Sequence, residues 1–156
     1  MVLDYISCMT KRILVVDDEK EFLDLLKYRL NGNCYEVTCA GSGAEALEQA
    51  RKSAPDLILM DLLLPDLDGI SVLEILRRQP ATRRTPIIMI SAVTSDPTRS
   101  AAKVVGASAY LGKPVDFSAL AHLLELLLAL PSEAPARPPR ELTRQSECCR
   151  NHRIVT

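Results

Sequence analysis

Three carboxylates are placed where they could act together. Asp61 ends the apolar run Leu57-Ile58-Leu59-Met60, and Asp17-Asp18 end the run Ile13-Leu14-Val15-Val16. Apolar runs without alternation suit strands buried on both faces of a parallel sheet. A single strand-end Asp is most often a turn residue or a helix cap. Two such strands change the reading. As neighbours they lie roughly 4.8 Å apart, so Asp17, Asp18 and Asp61 converge on one small volume. Carboxylates that close repel, and their pKa values rise unless a cation lies between them. An all-oxygen set selects a hard ion, Mg2+ or Mn2+. In an open α/β sheet, the C-terminal edge of the strands is where ligands bind.

The elements that must hold these groups follow in order along the chain. The first strand is about 12–17, and Phe22, Leu25, Leu26 and Leu30 line one face of a helix over 19–30 that Asn31-Gly32-Asn33 stops. The second strand is 35–40. Ser42 and Glu45 form a capping box for a helix lined by Ala46, Leu47, Ala50 and Ala54. Gly41-Ser42-Gly43 has a phosphate-loop flavour but lacks the third glycine, so capping is preferred. After the third strand, 57–61, Pro65 and Asp68-Gly69 are turn chemistry before a helix over about 70–78. The fourth strand, 87–90, ends at Ser91; Asp96 as N-cap, with Pro97 at the first helical position, starts a helix that stops at Gly106. The fifth strand, 107–111, precedes Gly112-Lys113-Pro114, and Asp116 caps a last helix over 117–130. Strand and helix alternate five times, which predicts an α/β, doubly wound, five-stranded parallel sheet with right-handed crossovers.

Composition narrows the function. The chain has 156 residues and a net charge of −1, against a domain that binds nucleic acid through bulk charge; Trp is absent and aromatics are sparse, against base stacking. Five cysteines, Cys8, Cys34, Cys39, Cys148 and Cys149, show no CxxC spacing and read as thiols of a reducing compartment. His152 beside Cys148-Cys149 makes a weak metal set, and His122 reads as a surface residue. The greasiest run, 120–130, contains His122 and Glu125 and is too short to span a bilayer. With no leader-like start, the expectation is a cytoplasmic protein with no membrane or direct nucleic-acid partner. Residues 1–10 read as an extension, 11–130 as one domain, and the Pro- and Arg-rich 131–156 as a disordered tail.

Taken with Ser91 and Lys113 at the ends of the fourth and fifth strands, the motifs Val15-Val16-Asp17-Asp18-Glu19, Met60-Asp61 through Asp68-Gly69, Ile90-Ser91-Ala92 and Tyr110-Leu111-Gly112-Lys113-Pro114 occur in one order. Over about 11–130 the chain resembles the receiver domain of two-component response regulators, with a chemotaxis-regulator-like, flavodoxin-like (βα)5 fold. The resemblance implies the strand order 2-1-3-4-5. It implies Asp61 as phosphoacceptor, and Asp18, Asp61 and the Leu63 carbonyl as Mg2+ ligands, with Asp17 ligating loosely or through water. It further implies Lys113 paired with the phosphoryl group, Ser91 bonding it after transfer, Tyr110 as the aromatic that swings inward, and a cis peptide at Lys113-Pro114. Alone, Ser91 would read as a backbone-satisfying hydroxyl, Lys113 as a solvated lysine and Tyr110 as a core-edge aromatic. The implied donor is a sensor histidine kinase or phosphotransfer protein, in a phosphorelay that makes the chain a phosphoprotein switch rather than an enzyme with turnover.

Two positions depart from the common pattern. Leu63 and Val93, two residues beyond Asp61 and Ser91, are apolar and disfavour placement of a hydrolytic water, and Ser91 stands where Thr is more usual. No output domain follows in this sequence, which suits either a stand-alone receiver or a fragment. A second reading is a Mg2+-dependent hydrolase with an Asp nucleophile, which Leu63 disfavours because such enzymes carry an acid there. A third is a degenerate receiver serving only as an interaction module. The last helix carries more leucines than one stripe uses: Phe117, Leu120, Leu123, Leu124 and Leu127 fit the stripe, while Leu126, Leu128 and Leu130 sit at or beyond its edge. The resemblance implies the face of fourth helix, fifth strand and fifth helix as the contact for a second copy or an effector, and the surplus leucines suit that expectation.

Overall fold

A computed structural model describes residues 10–31 and 35–129. Gly32, Asn33, Leu130, four of the five cysteines, His152, residues 1–9 of the extension and the tail lie outside the described residues. The elements are β1 (Lys11–Val16), α1 (Lys20–Asn31), β2 (Tyr35–Ala40), α2 (Gly43–Ser53), β3 (Leu57–Met60), α3 (Gly69–Arg78), β4 (Ile87–Ser91), α4 (Asp96–Val105), β5 (Ala109–Gly112) and α5 (Phe117–Leu128). The five parallel strands lie in the order β2-β1-β3-β4-β5.

The apolar runs have two faces to fill. Successive side chains of a strand point to opposite sides, so Leu14, Val16, Ile58 and Met60 join Ala46, Ala50, Val72, Leu73, Leu76 and Ala102 of α2, α3 and α4. Ile13, Val15, Leu57 and Leu59 join Leu26, Leu30, Leu120 and Leu124 of α1 and α5 on the other side. The central strands β3 and β4 are buried throughout, while the edge strands β2 and β5 are only partly covered.

Local chemistry sets most helix starts. Glu45 N–H donates to Ser42 Oγ at 3.2 Å, and Gly41 N–H donates to the Glu45 carboxylate at 2.8 Å, closing the capping box one residue upstream of its usual return. Asp68 caps α3 and Asp116 caps α5. Most boundaries fall within one residue of the sequence reading, and three differences have a visible cause. Ser95, not Asp96, is the N-cap of α4, because Asp96 already has helical backbone and Pro97 falls in the first turn. Ala54 does not line α2 but closes it, in the left-handed region at φ 43°. β5 starts two residues later than expected, because Ala107 N–H still donates to the Ala102 carbonyl at the end of α4. On α5, Leu126 is 56% exposed, whereas Leu128 packs into the core with Leu123 and Leu127.

Candidate functional site

Register carries the carboxylates to one place. Val16 pairs with Met60 in the β1–β3 ladder, so the next residues, Asp17 and Asp61, stand side by side at the strand ends. Their backbones are pinned there: Asp61 N–H donates to the Val16 carbonyl at 2.9 Å, and Asp17 N–H to the Ala40 carbonyl at 3.1 Å. Asp17 and Asp61 are buried, at 1% and 7% exposure, and Asp18 is exposed. One carboxylate oxygen from each of Asp17, Asp18 and Asp61 lies within 4.8 Å of the others.

The loop after β3 has little room. Gly69 N–H donates to the Leu62 carbonyl at 2.7 Å. A Cβ at Gly69 would fall 2.3 Å from the Asp61 carbonyl oxygen, so this position requires glycine to let the helix start approach the strand end. Leu63 N–H donates to Asp61 Oδ1 at 3.3 Å, which fixes the Leu63 backbone beside the carboxylate, while its side chain is 58% exposed.

Lys113 enters from the end of β5, following a register that pairs Ser91 with Gly112. Its N–H donates to the Ser91 carbonyl at 2.9 Å, and the Lys113-Pro114 peptide is cis. The ammonium lies 2.6 Å from Asp17 Oδ2 and 3.1 Å from Asp61 Oδ2. It also stands 4.4 Å from the centre of the Phe22 ring, a cation–π contact from α1. The cation between the carboxylates is thus in part the chain's own.

Burial pushes the Asp17 carboxyl up; the Lys113 hydrogen bond and the Glu19 N–H, 2.9 Å from Oδ1, oppose this without cancelling it. Burial pulls Lys113 down, but hydrogen bonds to Asp17 and then Asp61 outweigh it, and the net direction is up. The two directions compete at one contact. A 2.6 Å approach between ammonium and carboxylate fits the ionised pair, with Lys113 charged.

Ser91 is fully buried, and its Oγ accepts from Val93 N–H at 3.2 Å, so the hydroxyl already has the backbone-satisfying role. Tyr110 is half-buried; its hydroxyl donates to the Val93 carbonyl, and the Arg99 guanidinium lies 5.4 Å from its ring. Ser91 and Tyr110 therefore meet through Val93. Asp17, Asp18, Asp61, Lys113 and the Leu63 backbone meet at this edge of the sheet, Ser91 adjoins them through the Lys113 amide, and Tyr110 adjoins Ser91 through Val93. Sequence reading missed Phe22, taken there only as a core residue, and Asp66, whose carboxylate accepts from Gly43 N–H at 2.7 Å and Ala44 N–H at 2.9 Å. An exposed Asp in a turn carries no local signal of which distant helix end it will meet.

The sequence pattern of the response regulator receiver domain matches residues 13–125. The chain belongs to that family. It is 40% identical over 108 residues to the response regulator PleD of Caulobacter vibrioides, covering 69% of this chain and 24% of that protein. It is 42% identical over 106 residues to the alkaline phosphatase synthesis transcriptional regulatory protein PhoP of Bacillus subtilis, covering 68% of this chain and 43% of that protein. The chain thus spans less than half the length of these relatives. The structure of the chemotaxis response regulator CheY4 of Vibrio cholerae superposes with a TM-score of 0.71 at 31% identity, covering 76% of this chain and 98% of that one.

Phosphoryl transfer is the general function of receiver domains, which interact with histidine kinases or phosphotransfer proteins and bind Mg2+ at an acidic pocket. The donor set here fits such an ion: three carboxylates, all oxygen, two of them buried where an uncompensated charge would be costly. Among the described residues, no helix is long and apolar enough to cross a membrane.

Proposed function

We propose that Asp61 accepts a phosphoryl group from a phosphohistidine of a sensor kinase or phosphotransfer protein. The observation that carries this is the convergence of Asp17, Asp18, Asp61 and Lys113 at one strand edge, with an Asp61 oxygen 3.1 Å from the Lys113 ammonium. An Asp61 oxygen attacks phosphorus; the new O–P bond forms as the donor P–N bond breaks, and the histidine nitrogen keeps the electron pair. Negative charge spreads over three equatorial oxygens in the transition state. Asp18, Asp61 and the Leu63 carbonyl would hold Mg2+, with Asp17 as a looser or water-bridged ligand. When bound, the ion offsets repulsion between the acceptor carboxylate and the incoming group. The Lys113 ammonium would turn from its carboxylate partners to the phosphoryl oxygens and oppose their charge there.

Ser91 would then exchange the Val93 amide for a phosphoryl oxygen. Because Tyr110 bonds the Val93 carbonyl, this exchange bears on the ring directly. The change is a population shift between two packings, read by a second copy or an effector at the α4-β5-α5 face. The chain acts as a cytoplasmic phosphoprotein with self-phosphotransfer and autodephosphorylation only. The hydrolase alternative is disfavoured because Leu63 supplies no acid beside Asp61. Incubation with acetyl phosphate, with and without Mg2+, read by intact mass, tests the assignment. The wild type gains one phosphoryl group only with Mg2+, and Asp61→Asn gains none; an unchanged mass shift in Asp61→Asn refutes it.

A further inference from the structure

We propose that Asp66 is a positioning residue whose carboxylate latches the middle of the β3–α3 loop to the N-terminus of α2, and thereby sets where the Leu63 carbonyl stands for the metal. This rests on the reading that Asp61 is the acceptor and Leu63 a metal ligand.

The loop runs from Asp61 to Asp68. Its first turn is held by Asp61 N–H on Val16 and Leu63 N–H on Asp61 Oδ1, and its exit by Gly69 N–H on Leu62. Between them, Leu63 and Pro65 are exposed and Leu64 is only half-buried. Asp66 is the next anchor. Its two oxygens take the Gly43 and Ala44 amides, at 2.7 and 2.9 Å. These are first-turn amides with no partner inside α2, at the end of the helix dipole that favours an anion. Both bonds are charge-assisted, and the Ala44 and then Gly43 amides hold the Asp66 carboxyl below its ordinary range.

A second feature supports the latch. A Cβ at Gly43 would lie 2.9 Å from Leu67 Cβ, 2.9 Å from Val72 Cγ2 and 3.2 Å from Asp66 Oδ1. Only a residue without a side chain lets the loop and α3 close on the helix end. Helix α2 itself is fixed to the core by Ala46 and Ala50. The glycine-containing stretch 41–43, which resembles a phosphate cradle in sequence, thus grips an anion of the chain's own. Two residues, Leu64 and Pro65, separate that grip from Leu63.

Hydrogen exchange of the metal-free protein and Mg2+ titration by NMR test this in Asp66→Ala and Asp66→Asn. The expected result is at least tenfold faster exchange at Gly43, Ala44 and Leu63 in Asp66→Ala, and about fivefold weaker Mg2+ binding. Asp66→Asn, which keeps one acceptor oxygen, falls between. Phosphorylation by acetyl phosphate at saturating Mg2+ stays within twofold of wild type, so the loss is in metal half-saturation and not in the transfer rate. Leu63 exchange and Mg2+ affinity unchanged in both variants would overturn the latch. A wild type that takes up no phosphoryl group would overturn the site reading instead, and metal-free exchange at Leu63 would still decide the latch.

Discussion

Removing the Lys113 ammonium while keeping its stem, as in Lys113→Met, should leave two buried carboxylates facing each other. Asp17 is 1% exposed and Asp61 7%, and the ammonium bonds both. Breaking a buried pair by deleting one partner costs about 3–5 kcal/mol. A ceiling follows from proton uptake. Protonating Asp17 at pH 7 from its ordinary value of 3.8 spans 7 − 3.8 = 3.2 pH units, or about 4.4 kcal/mol at about 1.36 kcal/mol per unit. Burial has already raised the native Asp17 pKa, which lowers that ceiling. The expected loss at pH 7 in EDTA is therefore about 2–4 kcal/mol. The pH dependence has a definite sign. In the variant, the folded Asp17 pKa lies still further above its unfolded value, so the folded state binds more protons and stability falls as pH rises. The deficit should be smaller at pH 5 than at pH 7. Urea unfolding at both pH values, with EDTA and with excess Mg2+, reads this directly; Mg2+ should recover part of the loss. Adding Asp17→Asn should recover most of it. A Lys113→Met protein as stable as wild type at pH 7 in EDTA would refute the view that the ammonium holds this cluster together.

Three further outcomes are expected. With Leu63 and Val93 apolar, the phosphoryl group should persist for minutes or longer, and Leu63→Glu should change the decay rate; loss from the wild type within seconds, followed by intact mass, would contradict this. Ser91→Ala should still accept the phosphoryl group but lose most of the chemical-shift response of β5, because Ser91 and Tyr110 meet through Val93; equal responses in both proteins would rule out that route. Leu126 is 56% exposed on α5 and Val104 86% exposed on α4, so beryllofluoride should promote self-association that Leu126→Glu weakens by tenfold or more; sedimentation showing a monomer in every condition would leave only a hetero-partner.

Much of this site was legible because its signals are local. The runs before Asp17 and Asp61 needed only strand periodicity, and Asp68, Asp116 and the Ser42–Glu45 box needed only the geometry of a first helical turn. Where the reading slipped, the margin was one or two residues: Ser95 for Asp96 at α4, and Ala54 as a cap and not a lining residue. At those ends neighbouring residues suit the cap almost equally well, and tertiary contacts choose between them. On α5 the stripe was correct for Leu120 and Leu124 and for the exposure of Leu126. Leu128, placed at or beyond the edge, instead packs against the core beside Leu123 and Leu127, a tertiary outcome that helical spacing alone does not fix.

What the sequence determined by itself was which residues end the strands and where most helices start, because apolar runs and caps are set within a few residues. Tertiary structure alone decided the partners across the sheet. Lys113 meets Asp17, 96 positions away in the chain, only because β5 and β1 project their ends over the same edge. Arg77 on α3 reaches the Gly106 carbonyl at the end of α4, and Asp66 reaches α2, by the same kind of long-range placement. Such contacts depend on strand order, twist and rotamer together, and no local pattern of residue types encodes that combination.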